Sequence, residues 1–166
     1  MPNVDLQLRQ EDAKLVFLAV AYHLGRPGSE LDPITKLPVE HGLAETARDL
    51  QPQLRNAVSE LRLLDPQLKR LLSGMLGSIT ELKAYPMLEL RMSQSGEGRR
   101  SSVAGFDRTL LHLFPEIEQD TEMSLHIAEQ MLLLKRRLDE TIAAIPEEEP
   151  LDAVTSKRKG WWPFRR

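Results

Sequence analysis

A chain of 166 residues, 41% of them hydrophobic, is long enough and apolar enough to bury one core without covalent staples. It has no cysteine, which excludes disulfides, thiolate metal sites and thiol nucleophiles. Aromatic residues make up only 5% and leucine leads the apolar set, a balance that suits helices, while the net charge of −3 conceals a basic tip on an acidic body.

The first residues, MPNVDLQLRQEDAK, carry acids where a signal peptide would carry a positive region. The longest apolar run, residues 15–22, falls well short of the ~20 residues of a membrane span. A cytoplasmic protein is expected, peripheral at the inner face of the membrane if the C-terminus docks there. The same apolar run predicts a central helix from Leu6 or Leu8 to Leu24, ended by Gly25 and Pro27. Prolines at 27, 33 and 38 then predict an extended strap over residues 26–42 lying across the helices.

Within the strap, LDPITKLPVEHGL resembles the opening of diguanylate cyclase domains, where a D-x-L-T-G-L-P segment precedes the sheet. The resemblance covers about a dozen residues. No Gly-Gly-Asp-Glu-Phe turn and no βαβ pattern follow, so it implies turn-forming backbone at Asp32, Pro33 and Thr35.

Leu43, Ala47, Leu50, Leu54, Val58, Leu61 and Leu64 keep helical phase and predict a second helix kinked at Pro52. Asp65-Pro66 marks a boundary, with Asp as cap and Pro in the first helical position. Leu68, Leu72, Met75, Ile79 and Leu82 carry a third helix to a stop at Tyr85-Pro86. Gly74 and Gly77 inside it allow two readings, a close helix approach or a bend. Leu88, Leu90 and Met92 then alternate with polar residues as a short strand does, and residues 93–102, SQSGEGRRSS, have loop composition. Phe106, Leu110, Leu113 and Ile117 predict a short helix. The last helix, residues 123–145, has the clearest stripe: Met123, Ile127, Met131, Leu134, Leu138, Ile142 and Ile145, widened by Leu125, Leu132 and Leu133. Asp120 or Thr121 starts it and Pro146 ends it.

Chemistry-bearing patterns are sparse. Glu122, His126 and Glu129 share one helix face, but the Glu-x-x-His order of carboxylate metal bundles is reversed and has no second copy, so a solvated face is the better reading. No phosphate loop and no hydrolase or metalloprotease motif occurs. Arg99-Arg100-Ser101-Ser102 makes Ser102 a candidate phosphorylation site for a basophilic kinase.

The C-terminus differs from everything before it. Lys157, Arg158, Lys159, Trp161, Trp162, Phe164, Arg165 and Arg166 stand within ten residues that contain no acid. Terminal tails are normally depleted of aromatics, whereas tryptophan prefers the membrane–water interface and each cation near an anionic surface adds ~1 kcal/mol. Gly160 and Pro163 disfavour a helix, so the tail reads as an extended hook. Residues 146–156, with Glu147, Glu148, Glu149 and Asp152, supply an acidic linker.

The sequence thus predicts an all-α single domain over residues 1–145, a helical bundle of four main helices plus a short one. A linker over 146–156 and a flexible basic-aromatic tail over 157–166 complete the chain. The expected function is that of a non-enzymatic accessory or adaptor protein whose tail docks on an anionic membrane surface or a protein partner. Homo-oligomerisation through a helix face is a further expectation. A helical nucleic-acid-associated regulator is the alternative, with Trp stacking and Arg on phosphates, and a small enzyme with a cryptic site comes third. No catalytic residue, metal or cofactor is assigned.

Overall fold

The computed structural model describes the backbone of residues 3–95, 103 and 105–143, and the side chains of these except 88–95. Two compact units divide the chain, Met1–Lys135 and Arg136–Arg166. In chain order the elements are β1 (Asn3–Arg9), α1 (Gln10–Gly25), α2 (Ala44–Leu50), β2 (Val58–Leu64), α3 (Asp65–Ser95), α4 (Phe106–Leu113) and α5 (Met123–Ala143). The described part of the second unit is the end of α5.

The fold is mostly helical, as expected, but it is not all-α. Asn3–Arg9 reads polar-apolar in strict alternation, and the strand turns Val4, Leu6 and Leu8 to one buried face. Val58–Leu64 does the same with Ser59, Leu61 and Leu63. The two strands pair antiparallel, with Leu6 opposite Leu61 and Gln7 opposite Glu60. The start expected for the first helix and the second half of the expected second helix are therefore strands. The helical phase of Val58, Leu61 and Leu64 is a coincidence of spacing, since Val58 is left half exposed on the outer face. Pro52 does not kink a helix either. α2 ends at Leu50, and Pro52 lies in a 3-10 turn over Gln51–Gln53 that redirects the chain into β2.

Each strand runs directly into a helix, and α1 and α3 form the central helix pair, with α2 and α4 against α1. The pair comes close enough to need glycine at one crossing point and to crowd a second. A Cβ on Gly74 would stand 2.8 Å from the Ala19 carbonyl oxygen of α1, and one on Gly77 would overlap the Tyr22 ring. Of the two readings the sequence allowed, close approach is the one realised. Tyr22 also meets Phe106 of α4 edge-on, ring centroids 5.9 Å apart at 87°. Around this junction Leu18, Ala19, Leu71, Met75, Leu82, Phe106 and Leu110 are fully buried.

α3 starts at Asp65-Pro66, as its boundary residues dictate, with Lys69 Nζ 3.0 Å from Asp65 Oδ2 one turn on. It does not stop at Pro86. The helix continues to Ser95 through the segment expected as a strand, carrying Pro86 inside it. Proline in a helix interior is unfavourable by ~3 kcal/mol, and the buried Leu82 and Tyr85 in the turn just before it supply packing that offsets it. α5 follows the middle of its predicted stripe; Met123 and Ile142 are only partly buried, and Ile145 lies outside the described residues. Ile127, Met131, Leu134 and Leu138 are buried, and the Asp120 carboxylate accepts the Glu122 N–H at 3.2 Å just before the helix starts. Leu125 and Leu133 do not widen the buried face; they are about half exposed.

Candidate functional site

The tail residues Lys157, Arg158, Lys159, Trp161, Trp162, Phe164, Arg165 and Arg166, the linker 146–156 and Ser102 all lie outside the described residues. What the structure places is the surface on which any further contact must be built, and three regions of it are distinctive.

The first is the strap. It folds back on itself as a small hairpin, with Leu31 bridged to Pro38. The Asp32 carboxylate accepts the N–H of Ile34 at 2.8 Å and of Thr35 at 2.9 Å, the aspartate turn that Asp-Pro sequences favour. Those two bonds hold the Asp32 carboxyl below its ordinary value. Lys36 sits at φ 62°, left-handed backbone, where the cyclase-like pattern has glycine. Turn geometry is thus what that resemblance delivers. The tip presents Ile34 at 87% and Leu37 at 64% exposure, the most exposed large apolar residues among those described.

The base of the strap is fastened by one carboxylate. Glu30 Oε2 stands 2.8 Å from His23 Nε2 of α1, and the same carboxylate accepts the N–H groups of Leu43 (3.1 Å) and Ala44 (3.2 Å) where α2 begins. A Cβ on Gly42 would overlap the Glu30 carboxylate and push it from this position. On the α3 side, Arg70 Nη1 donates to the His41 carbonyl at 2.7 Å and Gln67 to the Gly42 carbonyl at 3.2 Å. Partial burial pushes the Glu30 carboxyl up, but the His23 bond and the two backbone N–H groups outweigh it and leave the carboxyl below its ordinary 4.5. A carboxyl lowered by folding stabilises the fold fully above its unfolded value and loses that contribution as pH falls through its folded value. Glu30→Gln should therefore destabilise at neutral pH by about 1–3 kcal/mol, since a charged acceptor is lost from three donors. The gap from the parent should narrow as pH drops below about 4.5. Thermal midpoints of both chains from pH 7 to pH 3 measure this, and a gap constant over that range would refute the assignment.

The second region is a groove of about 410 Å³ that runs past the start of α1, Phe114 and the start of α5. Leu15, Phe114, Met123 and Ile127 line it with apolar surface and Glu11, Asp12 and Glu116 with carboxylates, with Arg9 3.4 Å from Asp12. His126 lines it, whereas Glu122 and Glu129 do not. The three residues of the polar helix face are therefore not gathered around one point, and among the described residues no cluster of three His, Asp or Glu side chains is arranged to hold a metal. The third region is the sheet, whose outer face carries Asp5 and Arg62 in an ion pair at 2.7 Å. Alternation in the sequence contained the signal for that pairing, but helical phase in the neighbouring residues masked it.

None of the described helices is long and apolar enough to cross a membrane. No family model matches this chain, and neither a curated protein nor a solved structure matches it.

Proposed function

We propose that this chain is a non-enzymatic accessory or adaptor protein, a helical bundle extended by a small sheet, which is brought to an anionic membrane surface by its C-terminal tail. The observation that carries the reading is the composition of residues 157–166: five cations, no acid, both tryptophans of the chain and a phenylalanine. Cations give attraction within a Debye length of ~8 Å at physiological salt, and the indole rings give an interfacial anchor that salt does not screen. The acidic linker keeps the body from lying flat on the same surface. The apolar strap tip supports an adaptor role, since Ile34 and Leu37 are held out by a turn with its own hydrogen bonds.

Vesicle cosedimentation of the full chain beside a 1–156 truncation tests the proposal. The full chain should bind vesicles containing anionic lipid and not neutral ones. Truncation should weaken binding by about tenfold or more, because each cation contributes ~1 kcal/mol. Trp161→Ala with Trp162→Ala should weaken it even at low salt, and tryptophan emission should shift to the blue on vesicle addition. Binding to neither vesicle would leave the tail to a protein partner. Retention on oligonucleotides with steep salt dependence and no lipid preference would instead favour the nucleic-acid regulator.

A further inference from the structure

The two edges of the β1–β2 sheet are treated differently by the rest of the chain. On β2, the Gln53 side-chain amide donates to the Glu60 carbonyl at 3.0 Å and accepts the Glu60 N–H at 2.9 Å, filling the place of a neighbouring strand. Gln67 Oε1 accepts the Leu64 N–H at 2.9 Å further along the same edge. These bonds fix the phase of the ladder. Glu60 and Leu64 point their backbone groups away from β1, so Gln7 and Asn3, their partners in register, point theirs away from β2, as does Asp5 between them.

Among the described residues, β1 has no comparable cover. Among the described residues, no hydrogen bond reaches the outward N–H and C=O groups of Asn3, Asp5 and Gln7. An uncovered strand edge of this kind is a template for another strand. Natural chains block such edges, and this one blocks β2 with two glutamine side chains while leaving β1 open.

We infer that β1 pairs antiparallel with β1 of a second copy of this chain, making a four-stranded sheet across a two-fold axis. The argument for a second copy is that the strand complements itself. With Gln7 on the axis facing its own copy, Asp5 of each chain falls opposite Arg9 of the other, two opposite-charge pairs, and Leu6 falls opposite Leu8 on the apolar face. Shifting the axis to Asp5 would set two carboxylates against each other, so charge selects between registers. The Asp5 carboxylate, already 2.7 Å from Arg62 of its own chain, then lies between two guanidinium groups. A two-stranded sheet is marginal by itself, and doubling it gives each β1 a neighbour on both sides. The inference does not depend on the tail.

Gln7→Pro tests it. Proline at position 7 removes an outward N–H and none of the β1–β2 ladder bonds, the placement in which edge strands tolerate proline. Sedimentation velocity over a dilution series should show a dimer for the parent chain. Gln7→Pro should weaken it by about tenfold or more, since two hydrogen bonds at the axis are lost, with the circular dichroism spectrum retained. If proline prevents folding, Gln7→Cys serves instead. The parent has no cysteine, so oxidation can give a disulfide-linked dimer only by joining position 7 to its own copy. A folded Gln7→Pro chain that dimerises as the parent does overturns the proposal, and so does a Gln7→Cys chain that stays unlinked under mild oxidation. A parent monomeric throughout also overturns it, leaving the edge to an extended peptide from another protein.

Discussion

Phe106→Ala is expected to destabilise the chain by about 3–5 kcal/mol, a large share of the ~5–15 kcal/mol that holds a domain of this size together. Phe106 is fully buried, and its ring meets Tyr22 edge-on at 5.9 Å. Truncation removes the transfer energy of the ring and leaves a cavity where α4 joins α1. It also removes an aromatic pair worth ~0.5–1.5 kcal/mol beyond its area. Gly105 at φ 79° sets the entry to α4, so the backbone that delivers the ring is fixed and the site has little room to collapse. Equilibrium denaturation of Phe106→Ala beside Phe106→Leu measures the effect, and the leucine variant should lose less. A loss under about 1 kcal/mol in Phe106→Ala would mean that α4 is not a core element.

The second large effect is at the α1–α3 crossing, where helix propensity and packing pull in opposite directions. Glycine inside a helix is ~1 kcal/mol less favourable than alanine, so propensity alone predicts that Gly74→Ala and Gly77→Ala both stabilise. Packing opposes this at Gly74, because the obstacle 2.8 Å from the added Cβ is the Ala19 carbonyl, and backbone cannot swing aside. Overpacking costs ~1–3 kcal/mol, so Gly74→Ala should destabilise on balance by about 1 kcal/mol and Gly74→Val by about 3 kcal/mol. At Gly77 the obstacle is the outer end of the partly buried Tyr22 ring, a side chain and not backbone, so Gly77→Ala should be the milder change. Denaturation midpoints of the three variants decide the order. Stabilisation by Gly74→Ala would restore the reading in which these glycines merely bend α3.

Both predictions rest on contacts between residues far apart in sequence, and the same holds for most of what the sequence misplaced. Asn3–Arg9 has the alternation of a strand, but a seven-residue strand gains nothing until Val58–Leu64 arrives some fifty residues later. Local pattern favoured extending the apolar helix backwards over Leu8 and Leu6. The turn at Pro52 is hidden for a related reason: leucines spaced for a helix also fit a short helix, a 3-10 turn and a strand in succession. Pro86 signals a stop because a proline's local cost is visible in sequence, whereas the packing of Leu82 and Tyr85 that offsets it is not.

What the sequence determined by itself is what depends on near neighbours. The α5 stripe at Ile127, Met131, Leu134 and Leu138, the Asp65-Pro66 start of α3 and the aspartate turn of the strap all follow from residues within a few positions of one another. The basic-aromatic tail is legible for the same reason, since its composition is local. Tertiary structure alone decided the rest. It decided that Glu30 fastens the strap between His23 and the start of α2, that Gly74 serves close approach, and that β2 is covered at its edge while β1 is left open. Each of these depends on which distant groups meet, and periodicity along the chain carries no record of that.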